Sequence, residues 1–190
     1  MKKKTPQIFV SMDVESDGPI PGPHSMLSLG AVAFTEQGDE IGTYYVNLEL
    51  LPDAQPHADT QAFWAQNLSA YDDTRVDLQD PVQAMTTFVS WLEGLPGRPV
   101  AVAAPVGFDF TFVYWYLMRF AGRSPFSFSC VDVKSVVMTL LGTPYNKSGK
   151  SAWRSSWRSG LPHTHHALSD AREQGISWCK MWAEIQSHDH

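Results

Sequence analysis

Apolar residues along this chain fall into short blocks divided by glycine, proline and charge, and the spacing within each block separates strands from helices. QIFVSMDVE opens with an apolar run and is followed by SDGPIPGPH, whose Gly and Pro residues require a loop, so a strand is expected to end near Glu15. MLSLGAVAFT and EIGTYYVNLEL flank EQGDE and predict two further strands, joined by a hairpin with Gly38 at its turn. The first three strands should therefore form a meander. In LQDPVQAMTTFVSWLEGLPG, Asp80 suits an N-cap, Pro81 the first helical position and Gly94 the stop. RPVAVAAP predicts a buried strand, while FDFTFVYWYLMRFAG is apolar nearly all round and predicts a buried helix ended by Gly122. SCVDVKSVVMTLLG reads as a short strand passing into a helix, and HALSDAREQGISWCKMWAEIQ as the closing helix. Strands first, then strands alternating with helices, imply an α/β protein with a mixed sheet flanked by helices.

With 190 residues, 43% of them hydrophobic, the chain has material for one core, and a single domain spanning residues 1–190 is expected, its ordered part about 6–185. No apolar run approaches the roughly 20 residues that cross a bilayer. The basic start MKKKTPQIFVSMD lacks the apolar stretch and cleavage site of a signal peptide, so a cytoplasmic protein without a membrane partner is expected. Cys130 and Cys179 stand far apart with no CxxC spacing, which argues against a zinc knot or a disulfide framework. The net charge of −6 argues against a general nucleic-acid coat. That exclusion lapses if acidic residues converge on divalent cations, because the working surface is then far less negative than the bare count.

Four carboxylates are placed for such convergence. Asp13 and Glu15, two apart on a strand, leave the same face at its end. Asp109 follows an apolar strand at the start of a helix, where an N-cap is the alternative use. Asp170 lies in the first part of the last helix among Ala167, Leu168 and Ala171, and a buried carboxylate there must be paired, protonated or metal-bound. An oxygen-rich, nitrogen-poor donor set suits Mg²⁺ or Mn²⁺ better than zinc. YNKSGKSAWRSSWRSG carries Lys147, Lys150, Arg154 and Arg158 with Trp153 and Trp157 and no acid. It suits a phosphate backbone with stacked bases, a mobile solvated loop being the other reading. Its GKS is not a phosphate loop, since Pro144 stands where GxxxxGK[ST] requires glycine.

In order and local spacing, MDVES (Asp13, Glu15), GFDF (Asp109) and HHALSD (His165, Asp170) resemble the three motifs of the DEDDh 3′–5′ exonucleases, with H-x-A-x-x-D met by His165, Ala167 and Asp170. GPIPGPHSMLSLGAVAF and DTQAFWAQN add looser similarity. The resemblance implies a ribonuclease H-like fold, a five-stranded mixed β-sheet flanked by α-helices. It further implies two Mg²⁺ (or Mn²⁺) ions, with Asp13 bridging, Glu15 and Asp170 on the nucleophile side and Asp109 on the second ion. His165 would take the proton of the attacking water, and His163 and His166 would matter far less. The partner would be the 3′ end of single-stranded RNA or DNA, released as nucleoside 5′-monophosphates. Met26, Leu27 and Trp64 are the candidates to wedge or stack the terminal base. Lys147, Lys150, Arg154 and Arg158 are expected to grip phosphates away from the cleaved bond. ESDGP stands where many members carry ETTG, so Ser16 supplies the hydroxyl while Asp17 adds negative charge beside the 3′ end. Two other readings remain: an inactive nucleic-acid-binding module of the same fold, and a zinc protein built on His163, His165, His166, His188 and His190. No Cys pair or HExxH spacing supports the zinc reading. A serine hydrolase is excluded by the lack of GxSxG.

Overall fold

A computed structural model describes residues 5–187; His188, His190 and the basic start at Lys2, Lys3 and Lys4 lie outside the described residues. The elements run β1 (Gln7–Ser16), β2 (Met26–Thr35), β3 (Glu40–Asn47), α1 (Ala58–Gln66), α2 (Leu68–Asp73), α3 (Pro81–Glu93), β4 (Arg98–Ala103), α4 (Val106–Tyr116), β5 (Cys130–Asp132), α5 (Val133–Leu141) and α6 (Ala167–Ser187). One five-stranded sheet has the order β3-β2-β1-β4-β5. β1, β2 and β3 pair antiparallel as the expected meander, and β4 and β5 join parallel to β1, which makes the sheet mixed.

β1 is buried along nearly its whole length because both faces are covered. Its even positions Ile8, Val10, Met12 and Val14 enter a core with Met85, Phe88 and Leu92 of α3 and Phe112 and Tyr116 of α4. On the other face Phe9 packs with Val133 and Val137 of α5 and with Ala171, Trp178 and Met181 of α6. Strand alternation then sends Asp13 and Glu15 out on the α6 side, beyond Phe9 and Ser11. α6 is drawn tight against that face. Gln174 donates from Nε2 to Ser11 Oγ at 3.0 Å and to the Met12 carbonyl at 3.2 Å. A Cβ on Gly175 would lie 2.3 Å from the Phe34 ring and 2.9 Å from Ser11 Cβ, so only glycine lets the helix approach this closely.

Helix ends follow the local chemistry. Asp80 caps α3, its carboxylate accepting from the Val82 and Gln83 N–H groups at 2.9 and 3.1 Å. Gly122 and Gly142 adopt left-handed backbone after the α4 region and after α5. α1 and α2 have no counterpart in the apolar pattern, since Trp64 is the one buried side chain of α1 and α2 buries none. None of the described helices is long and apolar enough to cross a membrane. Burial pushes the thiols of Cys130 and Cys179 up to about 12, and both cysteines are free.

Candidate active site

The end of β1 and the first turns of α4 and α6 meet at one cleft. Asp13, Glu15 and Asp170 each offer a carboxylate oxygen, and these oxygens lie within 4.8 Å of one another. Asp109 does not cap α4, whose N-cap position is Pro105; instead it accepts the Val14 N–H at 3.1 Å, which pins it between the two β1 acids. Asp170 accepts from the Thr164 N–H at 2.9 Å on one oxygen and from the His165 N–H at 2.8 Å on the other. The carboxylate thereby shapes the turn that enters α6.

Glu15, Asp109 and Asp170 are buried and Asp13 is partly buried. Burial, and then the charges of Asp109, Glu15 and Asp170, raises the Asp13 carboxyl well above its ordinary range, with Lys150 opposing. Burial, then Asp170 and Asp109, pushes Glu15 up to about 8. Burial raises Asp109 to about 7 against the Val14 N–H. Acids crowded this closely away from water repel until something positive joins them. An all-oxygen set of this kind fits a hard divalent cation.

The three histidines are divided by the turn. His165 sits in left-handed backbone at φ 56°, a conformation disfavoured for a side chain with a Cβ and found where surroundings impose it. Its ring meets Phe63 edge-on at 5.0 Å and lines the cleft of about 360 Å³ with Asp13, Glu15 and Asp109. His166 turns away and stacks on Tyr45 at 4.6 Å, apart from His163 and His165, which lie with Asp170. His163, expected to lie back in the loop, faces the cleft with Nδ1 at 3.1 Å from Asp170 Oδ2. Burial and the nearby Lys150 charge lower its pKa.

A second cavity of about 390 Å³ adjoins the first across Val14, Glu15 and Phe108, and is lined further by Ser16, Pro19, Phe63 and Trp64. Several sequence expectations change here. Met26 and Leu27 are both 0% exposed, core residues that cannot wedge a base. Trp64 is a wall, its Nε1 donating to the Ser16 carbonyl at 2.9 Å. The Ser16 hydroxyl donates its proton to the Gly18 carbonyl at 2.8 Å. Asp17 is buried and accepts the Ser25 N–H at 2.5 Å, so its charge points inward and not at a 3′ end. The aromatic groups on the cavity are Phe63, 37% exposed, and Phe108, both overlooked in the sequence although they adjoin Trp64 and Asp109.

The basic loop is also rearranged. Trp153 and Trp157 are 3% and 1% exposed and belong to the core, not to a stacking platform. Arg154 pairs with Glu184 and lies over the Trp157 ring at 4.7 Å. Arg158 donates to the Trp153 and Ser151 carbonyls, both at 3.3 Å. Lys147 lies on a short 3₁₀ turn over Tyr145–Lys147. Lys150 lines the cleft itself, and so does Lys134, which the sequence reading passed over.

No family model matches the chain. It is 32% identical over 181 residues to the 3′–5′ DNA exonuclease Cap18 of Escherichia coli, covering 88% of either protein. Among solved structures it is similar to the zinc-bound form of the E. coli exonuclease I complex with single-stranded DNA, with a TM-score of 0.69 and 15% identity over 97% of this chain and 42% of that one. S. pombe Pop2p in its Mg²⁺- and Mn²⁺-bound form gives a TM-score of 0.68 and 13% identity over 96% of this chain and 83% of that one. The nuclease domain of 3′hExo, a DEDDh family member bound to rAMP, gives a TM-score of 0.62 and 9% identity over 98% of this chain and 94% of that one. These structural likenesses establish the ribonuclease H-like fold.

Proposed function

Since the chain belongs to the DEDDh family of 3′–5′ exonucleases, we propose that it shortens single-stranded DNA from the 3′ end and releases nucleoside 5′-monophosphates. The observation that carries this reading is the convergence of Asp13, Glu15 and Asp170 within 4.8 Å, beside His165 and the pinned Asp109. DNA is favoured over RNA because the relative at 32% identity is named for DNA. All five motif residues are intact, which disfavours an inactive binding module.

Divalent metal ions serve the enzyme, and two of them, Mg²⁺ or Mn²⁺, would be held by Asp13, Glu15 and Asp170 on one side and by Asp13 and Asp109 on the other, supplying Lewis acidity to the phosphate and an acidified water. The protein's own groups do the rest. Asp109, fixed on the Val14 N–H, lies near enough for its charge to act on Asp13. His165 takes the proton of the attacking water, its main chain held by Asp170 and its ring by Phe63. The cavity between Phe63, Phe108 and Pro19 takes the terminal base against an aromatic face. One domain carries the whole site.

End-labelled single-stranded DNA, the same sequence as RNA, and a circular single strand, each given Mg²⁺, test the reading. Stepwise release of mononucleotides from linear DNA, slower release from RNA and survival of the circle are expected. Equal loss of circle and linear strand would mean an endonuclease, and faster loss of RNA would reverse the substrate choice.

A further inference from the structure

Among the described residues, Lys150 is the one cation of the basic loop that lines the cleft, flanked there by Gly149 and Trp153 of the same loop. Its Nζ pairs with Glu173 and lies 3.5 Å from His163 Nδ1, which in turn is 3.1 Å from Asp170. The ammonium is thus two contacts from a carboxylate of the acidic nest. Resting on the exonuclease reading, we propose that Lys150 is a catalytic residue that contacts the scissile phosphate, with Glu173 as the residue that positions it.

Three observations support this role. Glu173 is buried and follows Asp170 by three residues on α6, so a single rigid helix sets both the metal-side carboxylate and the anchor of the ammonium. An ammonium has three donors, and the Lys150 side chain is 38% exposed, so the contact with Glu173 leaves donors facing the cleft. The Lys150 charge also reaches Asp13 and Asp109, opposing the rise that burial imposes on both. A phosphate laid against those carboxylates lies within the same reach.

The chemistry needs such a group. Attack forms a bond from the water oxygen to phosphorus and breaks the bond to the upstream 3′ oxygen. One proton passes to His165 and the bonding electron pair leaves with the 3′ oxygen. Negative charge on the phosphate grows on the way, and a fixed donor in a water-poor cleft stabilises that growth. Cations held by the carboxylates would share their charge with those acids, which leaves the growing charge on the phosphate room for a further donor. Lys134, the other cation on the cleft, has its Nζ over the Tyr145 ring at 4.4 Å. Arg154 and Arg158 are held elsewhere. Lys150 takes no part in the making and breaking of bonds and acts through its contact with the phosphate.

The test compares Lys150→Met, Lys150→Arg and Glu173→Gln with wild type in three measurements: kcat and KM on single-stranded DNA, equilibrium binding of dAMP and of deoxyadenosine with Mg²⁺ present, and thermal melting. Lys150→Met should lower kcat about 100-fold, the scale of a lost charge-stabilising donor. It should weaken dAMP about tenfold while leaving deoxyadenosine unchanged, since only dAMP carries the phosphate. Lys150→Arg should restore part of both losses, and Glu173→Gln should lower kcat less than Lys150→Met does. Parallel loss of dAMP and deoxyadenosine binding with a lower Tm would reduce Lys150 to a structural tie and overturn the proposal, as would wild-type kcat in Lys150→Met. Asp13→Asn, run alongside, separates the two readings. If it stays active the exonuclease site itself is wrong, and if it is dead while Lys150→Met is fully active, only the role of Lys150 falls.

Discussion

Gly30 of β2 and Ala167 at the start of α6 touch backbone to backbone, so closely that a Cβ on the glycine would lie 2.2 Å from the Ala167 carbonyl carbon. Gly30 is also the register partner of Asp13. The missing side chain therefore sets how near Asp170, three residues into α6, comes to the β1 acids. Gly30→Ala should lift the helix start, destabilise the fold by about 1 to 3 kcal/mol, and weaken Mg²⁺ binding. Melting and titration calorimetry would check both. A variant that melts lower but binds Mg²⁺ like wild type would show that the contact serves packing alone.

The acidic nest predicts a metal-dependent response to pH. Folding raises Glu15 from 4.5 to about 8 and Asp109 from 3.8 to about 7. A carboxylate raised in this way binds its proton more tightly in the folded state, so its contribution is fully present below the ordinary carboxylate range and is lost as pH rises through the folded value. Metal-free protein should lose melting temperature steadily from about pH 5 to about pH 8. Mg²⁺ should flatten that slope, because bound cations take over from the protons. Identical slopes in EDTA and in Mg²⁺ would mean that the acids do not bind the metal.

His165 combines an imposed backbone with a chemical role, and glycine can separate them. His165→Gly removes the imidazole and also relieves the positive φ. Its kcat should fall about 100-fold, the usual scale for a general base, while Tm holds. His166→Ala should spare kcat, since that ring stacks on Tyr45 outside the cleft. His163→Ala should fall between the two because it touches Asp170. A dead His166→Ala beside an active His165→Gly would misplace the base.

Phe63→Ala should raise KM for single-stranded DNA by the equivalent of about 1 to 3 kcal/mol, the worth of one stacked base, with a smaller change in kcat. Arg154→Ala should do the opposite, lowering Tm through the lost contacts with Glu184 and Trp157 and leaving KM unchanged. Steady-state kinetics with paired melting curves would show whether aromatic stacking or the basic loop grips the strand.

Much of the frame was legible because it rests on neighbours in the chain. Asp80 and Pro81 announce α3, the period of two puts Asp13 and Glu15 on one face, and the order of the strands yields the mixed sheet. His165 and Asp170 were singled out by the H-x-A-x-x-D motif that resembles the DEDDh exonucleases, which lies within one short stretch of chain. α1 was invisible because it shows the sequence a single buried residue and no apolar period, and Phe63 was lost with it. Burial decided the rest. Met26, Leu27, Trp153 and Trp157 have the composition of ligand-binding surfaces, yet the sheet and helices close over them. Lys150 and Arg154 are alike in sequence, four residues apart in one basic loop, but one meets Glu173 at the cleft and the other Glu184 near the far end of α6. Asp109 reaches Val14 across 95 residues of chain. Such pairings depend on which surfaces the packed core brings together, a property of the whole chain's apolar burial that no local stretch encodes.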